Sequence, residues 1–232
     1  MANKFIVRRP IKNTASRVIG YEILYHGENA LYGKEEPAKE AKVNEFAVAD
    51  TIYSFLTQNA ERVKGSVNFM TFTTTLLMKK VPHLFDKDDL VIQIDDSVIV
   101  HPLAMHFVQM YKKEGYRIAV NDFHFAPRYV ALIDQIDYIK LDFKSMNDES
   151  LANLIEIGSG MGKHCVACNV DTEELYQKAL SLGVTELEEQ LTGLFSVSPH
   201  GQAPLSLTLK CGFIIMPANT FVNERGSQDE KV

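Results

Sequence analysis

Two short runs carry the residues best placed to do chemistry: Arg117–Asp122 (RIAVND, followed by Phe123) and Tyr138–Asp142 (YIKLD). Each is rich in aliphatic and β-branched residues and closes on polar ones, Asn121-Asp122 in the first and Lys140 with Asp142 in the second. Barrel strands of an α/β protein read this way, with an apolar body buried on both faces and ionic groups at the C-terminal lip. A second candidate is His164-Cys165-Val166-Ala167-Cys168, a C-x-x-C flanked by histidine, which could bind zinc or act as a redox pair. If that run is a strand, side chains three apart face opposite ways and cannot share a metal. No second C-x-x-C exists, only Cys211, so structural cysteines are the expectation.

The elements that would position these residues follow a strand-then-helix rhythm. Phe5–Arg8 and Val18–Leu24 are β-prone runs joined by a turn-rich connection at 10–16, a hairpin signal. Residues 28–42 are charged and punctuated by Gly and Pro, a solvated loop, and Asn44–Leu56 has apolar residues at helical spacing. Strands are expected at Val67–Phe69, Leu90–Ile94, Arg117–Asp122, Tyr138–Asp142 and His164–Ala167. Helices are expected at Thr71–Lys80, Pro102–Glu114 (stopped by Gly115), Tyr129–Ile136, Glu149–Gly158 and from Thr172 to Gly183. The alternation implies a mostly parallel sheet, and the count suits a closed barrel. Beyond Phe195 no clean final helix reads. An apolar run at Cys211–Met216 precedes a polar tail, so residues 1–222 are expected as one domain and 223–232 as disordered.

Composition bounds the function. In 232 residues, 46% are hydrophobic and 23% charged, enough for a sizeable core. A net charge of −6 argues against direct nucleic-acid binding, which needs clustered Lys and Arg. No apolar run approaches the roughly 18 residues needed to span a bilayer, and the N-terminus lacks a signal-like apolar region, so a cytoplasmic protein without membrane attachment is expected.

With these runs in place, the chain resembles the bacterial EAL domain family, which hydrolyses cyclic di-GMP. RRPI followed by GYEILYHG resembles the family's opening segment and its E-A-L strand; VNF its Asn-bearing strand; LVIQIDDS its L-x-x-E-I-x-E segment. GYRIAVNDF and IDYIKLD, in their spacing, are the most specific matches, and ACNVDTEEL resembles the A-E-G-V-E-T-x-E segment. The resemblance implies a modified TIM-type (β/α)8 barrel with an antiparallel first strand. It also implies a site at the strands' C-terminal lip, where carboxylates hold two Mg²⁺ or Mn²⁺ ions against a phosphodiester.

Carried over by position, the family's site residues fall on Glu22, Asn68, Gln93, Asn121, Asp122, Lys140 and Cys168, with the late Gln on Thr192 or, alternatively, Gln190. Gln93, Asn121 and Cys168 stand where the family has carboxylates. His26 takes the place of the phosphate-contacting Arg, and His124-Phe125-Ala126-Pro127 replaces a Gly-rich loop. At an effective dielectric near ~20, each charge missing about 4 Å from a metal removes roughly 4 kcal/mol of attraction. Glu22, Asn68 and Asp122 remain as weak metal candidates, and Asp95, two residues beyond Gln93, is a poor substitute because it sits about 6.6 Å further along. Glu22, Asp122 and Lys140 also read as an ion-pair network that plugs the barrel mouth.

The expectation is therefore a catalytically inactive EAL-like regulator that works through a protein partner, with no catalytic residues and no cofactor. A non-hydrolysing cyclic di-GMP receptor is the alternative, followed by a weak phosphodiesterase that would need Mg²⁺ or Mn²⁺. Self-association into a homodimer is left open.

Overall fold

The computed structural model describes residues 4–27, the isolated positions Ala49, Ile52, Tyr53 and Leu56, and residues 65–188 and 214–217. The expectations on residues 28–42, on Thr192 and Gln190, and on the tail at 223–232 lie outside them.

β1 (Lys4–Asn13) and β2 (Val18–Gly27) form an antiparallel hairpin whose turn is fixed by the Asn13 side chain, which accepts hydrogen bonds from the Ala15 and Arg17 amides at 3.1 and 2.9 Å. β1 runs straight through Pro10, so the turn falls later than the 10–16 connection read from the sequence. β3 (Asn68–Thr71), β4 (Leu90–Ile94), β5 (Arg117–Val120), β6 (Tyr138–Asp142), β7 (His164–Cys168) and β8 (Glu186–Glu188) then pair in order, each parallel to the last. β2 is parallel to β3, and β8 closes antiparallel onto the second half of β1. The result is a closed eight-stranded barrel with one reversed strand, and β9 (Ile214–Pro217) lies antiparallel along the first half of β1.

Among the described residues after β3, five of the six α-helices lie where the sequence placed one. α1 (Thr74–Met78) starts from Thr73, whose hydroxyl accepts from the Leu76 amide. α3 (Ala104–Glu114) ends at Gly115, whose φ of 94° is costly for any residue with a Cβ. α4 (Pro127–Val130), followed by a 3₁₀ turn at Ile133–Gln135, replaces the single helix expected over 129–136. α5 (Asp148–Gly160) is capped by Asn147, and α6 (Glu173–Leu182) by Thr172, with Glu173 and Glu174 in its first turn favourable to the helix dipole. α2 (Asp96–Ile99) is a single turn capped by Asp95.

Strand periodicity divides the side chains cleanly. Outward residues such as Ile92, Ile118, Ile139 and Cys165 pack against the helices in the main core. Inside the barrel, Ile11, Phe69, Val91, Ala119, Tyr138 and Val166 form a separate apolar layer, with Phe69 and Tyr138 edge-to-face at 5.0 Å. Gly20 makes room for this layer: a Cβ there would come within 2.8 Å of the Phe69 ring and 3.0 Å of the Val67 carbonyl. The apolar floor forces any polar group inside the barrel towards one end or the other. Among the described residues no helix is long and apolar enough to cross a membrane.

Candidate functional site

Directly above the apolar layer, at the C-terminal lip of the parallel strands, five elements aim polar side chains at one point. Glu22 comes from β2, Gln93 from β4, Lys140 from β6, Cys168 from β7 and Glu188 from β8, while Arg9 reaches in from β1 opposite Glu22. Register explains the convergence, since Glu22 lies beside Phe69, Gln93 beside Thr71 and Ala119, and Glu188 beside Ile11, all on the inner face.

Lys140 is the hub. Its ammonium donates to Glu22 Oε2 at 2.6 Å and to Gln93 Oε1 at 3.0 Å, and lies 3.3 Å from Glu188 Oε2. Gln93 turns its amide nitrogen to Glu22 Oε1 at 2.8 Å, so one neutral side chain links acid and base. Arg9 pairs with Glu188 Oε1, and the Cys168 thiol donates to the Val166 carbonyl at 3.8 Å. Glu22, Gln93, Lys140 and Glu188 are each at most 5% exposed.

Two acids and two bases thus neutralise one another in a site closed to water. Burial raises the Glu22 carboxyl, as does Glu188, against the pull of Lys140. Glu188, although burial opposes it, is held down at about 2 by Lys140 and Arg9. The Lys140 ammonium is held well above the ordinary lysine range by Glu22 and Glu188, which overcome its own burial. Burial and Glu188 drive the Cys168 thiol far up, so it is an inert neutral group.

The structure brings Glu22, Gln93, Lys140 and Cys168 together as the sequence reading placed them, and corrects it elsewhere. Asn68 has the wrong parity: beside Tyr21 and before the inward Phe69, it faces out of the barrel and donates to the carbonyls of Ser66 and Asp89 at 2.6 and 3.2 Å. The inward position of β3 at the site is Thr71, whose hydroxyl is 3.4 Å from the Gln93 amide nitrogen.

Asp122 is not part of the ion-pair network. It sits in the left-handed region at φ 51°, and its carboxyl is raised by desolvation and by Asp142, with Lys140 pulling the other way. Glu188 fills the place in the network that the sequence reading gave to Asp122. The Asn121 carboxamide oxygen is buried without a partner, as is that of Asn68, so neither amide is fully satisfied.

Asp95 is committed as a helix cap, accepting from the Ser97 amide at 3.1 Å and hydroxyl at 2.6 Å. In the rebuilt loop, His124 packs on Tyr129 with ring centres 4.2 Å apart, and Phe125 is 48% exposed. Position 26 lies in β2, but its side chain is outside the described set. Cys165 and Cys168 point to opposite sides of β7, Cys165 buried against Gly158 and Cys168 inside the barrel, so the C-x-x-C is not a redox pair.

Glu188, Arg9 and Thr71 are the site residues that the sequence reading did not place, and Glu188 is the one that completes the ion-pair network. Its strand is three residues long and acidic, and no apolar run announced it; the one available signal was the spacing of Glu186 and Glu188 around Leu187, placing both acids on one face.

No protein-family model matches the chain. The uncharacterized protein YuxH of Bacillus subtilis is 29% identical over 186 residues, 77% of this chain and 44% of its own length. The cyclic di-GMP phosphodiesterase CdgJ of Vibrio cholerae is 22% identical over 188 residues, 80% of this chain and 43% of its own. The chain thus spans less than half the length of these curated relatives. Among solved structures, the FimX EAL domain superposes with a TM-score of 0.63 at 20% identity, covering 81% of this chain and 88% of that one. The Pseudomonas aeruginosa FimX EAL domain bound to c-di-GMP gives 0.62 at 19%, covering 80% and 88%. At these identities the likeness is one of fold.

Proposed function

We propose that this chain, which resembles the EAL domains and shares their fold, is a non-hydrolysing regulator in cyclic di-GMP signalling that acts by contact with another protein. The observation that carries the reading is Lys140 bridging Glu22 and Glu188, with Gln93 between them. A pair of divalent cations brings four positive charges that carboxylates must largely offset. Here the two buried carboxylates are already balanced by Lys140 and Arg9, and the inward donors beside them, Gln93, Thr71 and Cys168, are neutral; the further lip acid, Asp142 beside Cys168, accepts the Lys144 amide at 2.9 Å. Among the described residues, no three His, Cys, Asp or Glu side chains are grouped to hold a metal ion. This donor set does not fit a two-metal phosphodiesterase, and no hydrolytic step is assigned to it.

A barrel retained around a neutral mouth has its surface left to work with. Phe125 and Val130, about half exposed, flank the Arg128–Asp96 ion pair beside the lip and offer apolar area of the kind protein interfaces use. The second reading, a receptor that holds cyclic di-GMP without cutting it, draws on the FimX EAL domain that has been solved with c-di-GMP bound. Calorimetric titration with the dinucleotide, with and without Mg²⁺, separates the two. Absence of heat at tens of micromolar, together with a stoichiometric partner recovered from native cells, supports the regulator. Saturable heat transfers the assignment to the receptor.

A further inference from the structure

The opposite end of the barrel carries a cavity that the mouth chemistry does not use. It has a volume of about 160 Å³ and opens where β5, β6 and β7 begin, so their first residues, Arg117, Tyr138 and His164, line it together with Asp137 and Lys163. Tyr138 and His164 stack, with ring centres 4.9 Å apart and planes 23° from parallel, and make a flat wall. Arg117 donates to the Asp88 carbonyl at 2.5 Å. Lys163 reaches the Asp134 carbonyl at 3.5 Å.

The charges at this end do not cancel as they do at the mouth. Asp137 is spent: one oxygen pairs with Lys112 and the other accepts the Ile118 amide at 2.8 Å. Glu186 is engaged by His164 at 2.7 Å and by the Thr185 hydroxyl. Arg117 and Lys163 donate to backbone carbonyls, with no carboxylate partner among the described residues. Two cations converge on one small cavity whose acids are already paired, in a chain whose net charge is −6.

We infer that this cavity is a binding site for a phosphate-type oxyanion, gripped by Arg117 and Lys163 against the Tyr138–His164 wall. An arginine fork and a lysine ammonium are the donors that single phosphate groups select. The cavity is well below the roughly 300–1,000 Å³ of drug-sized ligand sites, so it suits one phosphate group and excludes a cyclic dinucleotide. The site is independent of whatever happens at the barrel mouth.

The test is a two-dimensional amide NMR titration of the whole chain with inorganic phosphate, and in parallel with glycerol 3-phosphate, against sodium chloride at matched ionic strength. Saturable shifts confined to Gly162, Lys163, His164 and Tyr138 are expected. Arg117→Gln and Lys163→Gln should each weaken binding by roughly tenfold, the loss of one charge-assisted contact. Lys163 is a partly exposed loop residue, so its variant remains informative if Arg117→Gln does not fold. Tighter binding of glycerol 3-phosphate than of phosphate assigns the site to phosphomonoesters, and the reverse assigns it to the free ion. Shifts that fail to saturate, that sodium chloride reproduces, or that survive Lys163→Gln unchanged overturn the proposal.

Discussion

Replacing Lys140 by Met keeps the aliphatic stem that crosses the barrel and removes only the charge. Glu188 retains Arg9, but Glu22 is left with the Gln93 amide alone, buried at 4% exposure. Removing one partner of a buried ion pair usually costs about 3–5 kcal/mol. A ceiling comes from proton linkage, because the folded variant can take up a proton on Glu22. From an unfolded carboxyl near 4.3, holding that proton at pH 7 costs about 2.7 pH units at roughly 1.4 kcal/mol each, or about 3.7 kcal/mol. The sign follows, since a carboxyl raised in the folded state is a penalty that is absent below the unfolded pKa and grows as pH rises above it. The loss should therefore fall to about 1 kcal/mol at pH 5. Urea unfolding followed by far-UV circular dichroism at pH 5, 6, 7 and 8 gives the curve, with the slope checked for two-state behaviour. Adding Glu22→Gln to Lys140→Met should recover most of the loss at pH 7. A loss below about 1 kcal/mol at pH 7, or one equal at pH 5 and pH 8, would refute the reasoning that Lys140 balances Glu22.

Other consequences follow from the same cluster and its supports. Gln93→Glu turns an amide donor into a carboxylate facing Glu22; it should destabilise the metal-free protein by about 2–4 kcal/mol at neutral pH, with Mn²⁺ raising the melting temperature of the variant and not of the wild type. In the wild type, Glu188, lowered to about 2, contributes stability that is present above the unfolded pKa near 4.3 and is lost as pH falls towards 2. Acid titration of unfolding should show about 3 kcal/mol of loss across that window, and Glu188→Gln should flatten it. Gly158→Ala puts a methyl 2.8 Å from Cys165 Sγ and 3.2 Å from Ile139 Cδ1, between α5 and the barrel wall; an overpacking cost of about 1–3 kcal/mol should appear in the same denaturation assay.

The strands were legible wherever the alternation of burial left an apolar body. Leu90–Ile94 and Tyr138–Asp142 are observed with the bounds read from the chain, because both faces of those strands are buried and the runs are apolar apart from the inward Gln93, Lys140 and Asp142. The reversed first strand followed from the hairpin and from the family resemblance together. Parity decided what was misread at the site. VNF offers one asparagine and an obvious motif match, yet only the pairing of Asn68 with Tyr21 shows that it faces away, and Thr71 holds the inward place. Glu188 was invisible for another reason: a short strand of acidic residues becomes a buried element only because Lys140 and Arg9, distant in sequence, neutralise it. The network's second acid therefore came from β8 and not from the Asp122 that follows β5, where the backbone turns into the left-handed region and the carboxylate makes no ion pair with Lys140.

The central claim is that Lys140 and Arg9 neutralise the two carboxylates of the barrel mouth and leave it without hydrolytic chemistry. The most direct measurement is incubation of cyclic di-GMP with the protein in millimolar Mg²⁺ or Mn²⁺, with the linear dinucleotide quantified by chromatography against a Glu22→Ala control. Product at or below the control level is the predicted result. Product formed well above that control, and lost on chelation of the metal, would contradict it.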